Sequence, residues 1–248
     1  MTKTSSLFTL ALFFVSFLFL FATTCESGEC VKSGFIVAID VGHTKENSGA
    51  TSATGIPEYS FNKVMAESLI QELKKGGYTK SFIVGDNSLK GRAAVANQRK
   101  ASLLLSIHHD SVQPRYLSKW VHGGRVHLYS DKYSGFSIFF SQKNGAPDQS
   151  MLFACLLGAE MLKEGLLPSL HHAERIEEED RQLVDKSRGI YRYDGLAVLK
   201  RATMPAILLE CGIIVNRREE ELLNSPTYRM RIVAAIQRAI TTYCVTQK

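Results

Sequence analysis

The chain has one tryptophan, six prolines and five cysteines in 248 residues. Nothing in it is collagen-like, low-complexity or disordered in composition. The cysteine spacings fit no zinc-finger pattern. There is no compact HExxH motif, so local sequence supplies no ready-made metal centre. No internal repeat is present. No dense patch of Lys and Arg alternates with aromatics, so a nucleic-acid partner is not expected. Beyond Ala22 no apolar run is long enough to span a bilayer, and the body of the chain reads as soluble.

What is present is an ordinary globular composition, 45% hydrophobic and 22% charged. The length suits one domain with a full core. The formal net charge of +6 fits a partner that is anionic or lies in an anionic matrix, and equally fits solubility alone.

The first residues differ from the rest. Met1 to Ser6 is polar and carries Lys3, Leu7 to Ala22 is almost unbroken Leu, Phe, Ala and Val, and Thr23 to Glu26 is polar again. That order is a secretory signal, with an uncleaved anchor as the alternative because the apolar run is long. The expected division is residues 1–24 as signal peptide or anchor, 25–34 as a short linker, and 35–248 as the single globular domain. Export to the periplasm or cell envelope follows, with membrane contact only through an uncleaved first segment. Cys25 and Cys30 are close enough for a small-loop disulfide in an oxidising compartment. Cys155 falls in an apolar helical pattern and reads as a buried thiol.

Periodicity places the elements. Phe35–Asp40, Ser81–Val84, Ala101–Ile107 and Ala206–Glu210 are short apolar runs and read as buried strands. Val41–Pro57 is a long loop rich in Gly, Ser and Thr. Tyr59–Lys75 repeats Phe61, Met65, Leu69 and Leu73 every four residues and stops at Gly76-Gly77, which is a helix with its terminator. Arg92–Lys100 and Asp148–Lys163 are further helices. Ser225-Pro226 is an N-cap and first-turn proline for a last helix striped by Ile232, Ile236, Ile240 and Tyr243. Arg125–Tyr129 alternates, with Val126 and Leu128 on one face, as a half-exposed strand does. Leu170–Gly189 is charged and irregular, and its acidic cluster Glu177–Asp180 reads as a solvated loop. Strands alternating with helices predict an α/β fold with a largely parallel sheet.

Three of the strands end in residues capable of chemistry: Asp40-Val41-Gly42-His43, Ser106-Ile107-His108-His109 and Leu209-Glu210-Cys211-Gly212. In open parallel sheets ligands bind beyond the carboxyl ends of the strands. Parallel neighbours would bring His43, His108 and Glu210 to one edge, and Glu58, at the start of a helix, can fold back over it. Two His and one carboxylate make a three-donor zinc site with a position left for water. A second carboxylate can carry a proton to a leaving amine. His43, Glu58 and His108 are the candidate ligands and Glu210 the candidate acid/base. Glu210 stands out because a Glu after four apolar residues is costly to bury unless it is paired or functional. His109 should face the opposite way from His108. His127 and the His171–His172 pair are candidate substrate contacts.

These stretches resemble the zinc-dependent N-acetylmuramoyl-L-alanine amidase family of the Amidase_3 type. The likeness runs from about Ile36 to the last helix. The residues that carry it are Asp40-Val41-Gly42-His43, Gly49-Ala50, Glu58, Arg92, Ala96-Asn97, Ser106-Ile107-His108, and Glu210 with Gly212 and Asn216. The resemblance implies a single domain with a mixed, mostly parallel sheet flanked by helices on both faces. It implies a Zn2+ cofactor on His43, Glu58 and His108, with Glu210 as the catalytic glutamate. It implies peptidoglycan as partner and cleavage of the amide between N-acetylmuramic acid and L-alanine. Two positions depart from the family pattern: Thr44-Lys45 replaces the common Gly-Gly after the first His, and Cys211 replaces a common Thr. Neither removes a ligand. The competing expectations are another zinc peptidase acting on cell-wall peptides and an inactive wall-binding protein. No separate wall-binding domain is seen, and a regulatory partner is not identified.

Overall fold

The computed structural model describes residues 29–85, 88–174 and 181–247. The apolar leader, Cys25 and the acidic cluster Glu177–Asp180 therefore lie outside the described residues. Within them the elements are β1 (Val37–Val41), α1 (Glu58–Lys75), β2 (Phe82–Ile83), α2 (Leu89–Gln98), β3 (Leu103–Asp110), β4 (Ser118–His122), β5 (Arg125–Tyr129), β6 (Ser137–Phe140), α3 (Pro147–Lys163), β7 (Arg181–Asp185), β8 (Ile190–Tyr193), α4 (Ala197–Arg201), β9 (Ala206–Ile213), α5 (Arg217–Asn224) and α6 (Pro226–Val245).

Seven strands form one sheet in the order β2-β1-β3-β9-β6-β8-β7. The pairs β1–β2, β1–β3, β3–β9 and β6–β8 are parallel, while β6–β9 and β7–β8 are antiparallel. The period of two along each strand sends alternate side chains to opposite faces. Val37, Ile39, Leu103, Leu105, Ile107, Ile207 and Leu209 meet α1, α3 and α6 in the larger core. Ala38, Leu104, Ala206 and Leu208 meet α2 and α4 in a smaller one. Both faces are therefore covered by helices, which is why the central strands read as unbroken apolar runs.

α1 buries Phe61, Met65, Leu69 and Leu73 on one stripe. Its end is a Schellman turn: Tyr78 N–H donates to the Leu73 carbonyl at 2.9 Å and Gly77 N–H to that of Lys74 at 3.1 Å. Gly77 takes φ +98°, which a side chain would resist. The α6 stripe Ile232, Ile236, Ile240 and Tyr243 is wholly buried. Pro226 does open that helix, but Ser225 makes no side-chain cap bond.

Three expectations change. β5 exists, yet it pairs with β4 in a separate two-stranded hairpin. Its apolar face points outward, with Val126 66% and Leu128 46% exposed. The face turned to the body carries Trp120, whose Nε1–H donates to the Ala53 carbonyl at 2.7 Å. Alternation shows that two faces differ but not which one finds a partner. The segment Leu170–Gly189 is not simply a solvated loop. It holds a 3-10 turn at His171–Ala173 with both histidines buried, followed by β7.

The third change is the disulfide. Cys30 pairs with Cys244 at the end of α6, not with Cys25, across 214 residues of sequence. Phe35 packs edge-on against both Tyr78 and Tyr243, which brings the amino-terminal arm to that helix. Cys211 is free and buried, and Cys155 is free but only half-buried. A bridge closing so long a loop restricts the unfolded chain strongly, and removing such a bond costs about 2–5 kcal/mol. Cys244→Ser, or reduction of the native protein, should lower the urea midpoint accordingly. Identical midpoints for oxidised and reduced protein would show that the bridge carries no stability.

Candidate metal centre

β1 ends at Val41, and the chain turns through Gly42 into His43, which has φ +66°. Buried Arg92 of α2 fixes this strained turn. It donates to Asp40 Oδ1 at 3.1 Å, to the Val41 carbonyl at 2.7 Å and to the His43 carbonyl. Asp40 Oδ2 accepts from Ser106 Oγ at 2.6 Å, so the strand ends of β1 and β3 are tied together beneath the centre. The Arg92–Asp40 ion pair is removed from water on both sides. Removing either partner alone would leave a buried charge unpaired.

Glu58, the first residue of α1, is 4% exposed and stands between the two histidines. Its Oε2 lies 3.0 Å from His43 Nε2, and its Oε1 lies 3.1 Å from His108 Nδ1. It also accepts from Ala50 N–H at 3.0 Å, from Asn62 Nδ2 at 3.1 Å and from His109 N–H at 3.3 Å. Burial alone would raise its pKa, but the bonds from His108 and His43 outweigh that and hold the carboxyl well below its usual range. Gly49 explains the tight approach. It has φ +76°, and a Cβ there would sit 2.3 Å from Glu58 Oε2. A Cβ on Gly42 would sit 2.5 Å from His108 Nε2.

The ligand atoms of His43, Glu58 and His108 all lie within 4.8 Å of one another. The His43 side chain is 33% exposed while that of Glu58 is 5% exposed, so the cluster is closed on the protein side and open on the other. A cleft of about 460 Å³ adjoins it, lined among others by His43, Asn47, Leu89, Tyr193 and Leu196. One carboxylate, two imidazoles and an open side fit a zinc ion with a free coordination position. His109 faces α1 as its place in β3 requires, with Nδ1 2.7 Å from Asn62 Oδ1. Its pKa falls to about 3, driven by burial and partly offset by the charge of Glu58.

Glu210 lies opposite His108 in the parallel β3–β9 register. Leu208, two residues before it, belongs to the α2–α4 face, so Glu210 shares the face of His108. Burial first, and then the negative charges of Asp110 and Glu58, push its pKa well up. Its Oε2 is buried and makes no hydrogen bond within the protein.

The remaining candidates are spread out. His127 lies on the hairpin, with its ring against Gly55 of the loop that precedes α1. His171 and His172 lie beside Asp110, both buried. Sequence reading missed Asp110 and Asn62. Asp110 was signalled only by its place two residues beyond His108 on the same strand. Asn62 had no signal, because its role depends on one helical turn stacking it beneath Glu58, where it also donates to the Gly42 carbonyl at 3.0 Å.

The fold and this donor set define an α/β protein with a candidate three-donor centre at the carboxyl edge of its sheet. The chain belongs to the N-acetylmuramoyl-L-alanine amidase family, Amidase_3, whose model matches residues 37–242. It is 27% identical over 229 residues to the probable N-acetylmuramoyl-L-alanine amidase AmiB of Haemophilus influenzae, covering 84% of this chain but 51% of that protein. The chain thus spans about half the length of that relative. The catalytic domain of CwlV, an N-acetylmuramoyl-L-alanine amidase from Bacillus (Paenibacillus) polymyxa, is 28% identical with a TM-score of 0.60, covering 84% of this chain and 97% of that one. The N-acetylmuramyl-L-alanine amidase Ami1 of Mycobacterium smegmatis shares the fold at 21% identity and a TM-score of 0.68, covering 89% and 100%.

Proposed function

We propose that this chain hydrolyses the amide bond between N-acetylmuramic acid and the L-alanine of the peptidoglycan stem peptide. The observation that carries the reading is one edge of one sheet: three clustered donors near a half-buried glutamate whose Oε2 is buried without a hydrogen bond, in a chain that belongs to this amidase family. His43, Glu58 and His108 would hold a zinc ion. When bound, zinc supplies Lewis acidity towards a carbonyl and towards water.

The chain's own residues do the rest. Arg92 and Asp40 fix the backbone of His43, and Asn62 fixes Glu58 and the Gly42 carbonyl. Rigid donors of this kind keep the geometry from relaxing between turnovers. Glu210 holds a proton readily, because burial and two neighbouring carboxylates disfavour its charge. The role assigned to it is to give that proton to the leaving amine, which cannot depart as an anion. His127 overhangs the loop leading into α1 and is proposed as a substrate contact. The disulfide between Cys30 and Cys244 belongs to an oxidising compartment and supports export to the cell envelope.

Purified chain incubated with sacculi should release intact stem peptides with a new free amino group on L-alanine, leaving bare muramic acid in the glycan. Products still carrying L-alanine on the sugar would mark a peptidase cutting within the stem instead.

A further inference from the structure

Two residues past His108, at the end of β3, Asp110 meets two histidines of the turn at His171–Ala173 in a second group of donors. The ligand atoms of Asp110, His171 and His172 also lie within 4.8 Å of one another. The set is the same as in the first cluster, one carboxylate and two imidazoles. Asp110 Oδ2 is 2.5 Å from His172 Nε2 and 3.1 Å from His171 Nε2. The three side chains are 14%, 9% and 5% exposed for Asp110, His172 and His171. A bulge in the β3–β9 register between His108 and Asp110 aims the Asp at the 3-10 turn that carries the histidines.

Two further observations point to a ligand. His171 Nε2 is buried and sits 3.1 Å from Asp110 Oδ2, yet that contact does not have the geometry of a full hydrogen bond. A buried nitrogen held in so poorly aligned a contact is under-satisfied, and a cation between it and Asp110 would satisfy it. The other ring nitrogen, Nδ1, lies 2.9 Å from Ser169 Oγ. If Nδ1 donates there, the Nε2 lone pair is presented towards Asp110, the outer-layer arrangement common to metal-bound imidazoles. One group opposes the site: Arg181 Nη1 lies against His172 Nδ1. An imidazole that coordinates through Nε2 carries its proton on Nδ1, so the guanidinium has to draw back from that nitrogen when the ion binds.

We propose that Asp110, His171 and His172 form a second cation site of zinc type, separate from the His43–Glu58–His108 cluster. It would fasten the turn at His171–Ala173 to the end of β3. A mixed nitrogen and oxygen donor set with two imidazoles favours zinc over magnesium or calcium. The site stands on its own geometry and does not depend on which bond the enzyme cuts.

The test counts zinc in the full exported chain. The protein is stripped with chelator, equilibrated with Zn2+, freed of excess ion, and assayed by elemental mass spectrometry. Two ions per chain are expected for the native protein and one for His43→Ala. One ion is expected for His171→Ala and for Asp110→Asn, and none for His43→Ala combined with His171→Ala. A thermal melt establishes that each variant is folded. The native count decides even if the variants fail to fold: saturation at one ion, lost with His43→Ala, would overturn the proposal. So would a folded His171→Ala protein that keeps two. If His43→Ala retains both ions while His171→Ala loses one, the first centre is misassigned and the second stands.

Discussion

Glu210→Gln should leave the fold and the bound zinc intact and lower the release of stem peptides by about two to four powers of ten. That range corresponds to roughly 3–5 kcal/mol of lost transition-state stabilisation. Gln has the shape of Glu but cannot give up a proton to the amine. The proposed ligand set stays whole because Glu210 belongs to β9, whereas His43, Glu58 and His108 come from the β1 loop, α1 and β3. The substitution also removes a carboxyl that burial and the charges of Asp110 and Glu58 make costly to ionise. Stability should therefore hold or rise slightly. KM should change much less than kcat, since the missing interaction belongs to the transition state. The assay is release of peptide from purified peptidoglycan, run beside zinc content and a thermal melt. Near-normal turnover with normal zinc would place the proton transfer elsewhere, with His127 the next residue to test. Loss of zinc would make Glu210 a ligand.

The second large effect is expected at the metal donors. His108→Ala and His43→Ala should each lose tightly held zinc from the first centre and lose activity with it, because each removes one of three protein donors. His109 cannot stand in for His108: it faces α1, with its ring nitrogen engaged by Asn62 and its ring against Phe61. Glu58 should then become the most sensitive residue in the centre. Without a histidine partner it is a buried carboxylate with one fewer compensating bond, and its proton affinity should rise from its depressed value. Full zinc occupancy of the first centre in both histidine variants, measured against the native protein, would sink the ligand assignment.

Much of the architecture is legible in the sequence. The strands at β1, β3 and β9 are short, apolar and bounded by turn residues, and strands buried on both faces have to look that way. α1 and α6 announce themselves because a stripe every three to four residues has only one use in water. The elements that were missed are weaker signals. β6 is a four-residue strand, Ser137–Phe140, and β7 is half-exposed and charged. Their pairing is decided by neighbours far away in the chain: β6 lies against β9 through Ser137↔Glu210 and Phe139↔Leu208. The hairpin was half-read for a related reason. Its alternation is real, but the body of the protein meets the Trp120 and His127 face, not the valine and leucine face.

The sequence alone determined the main element types, the apolar stripes, and the association of His43, His108 and Glu210 with three strands, since these depend on local periodicity and on the chemistry of single residues; β3 and β9 in fact run on to Asp110 and Ile213, past His108 and Glu210. It also determined the family likeness, through motifs spread along the chain in fixed order. Only the tertiary structure decided which groups touch. Glu58 reaches between two histidines from β1 and β3 because Gly49 lets the loop close over it. Cys30 finds Cys244 because aromatic packing brings the arm to α6. The histidines of an apparently solvated loop are buried on Asp110. Each of these depends on chain closure over tens to hundreds of residues, and nothing in local sequence encodes a distance across a fold.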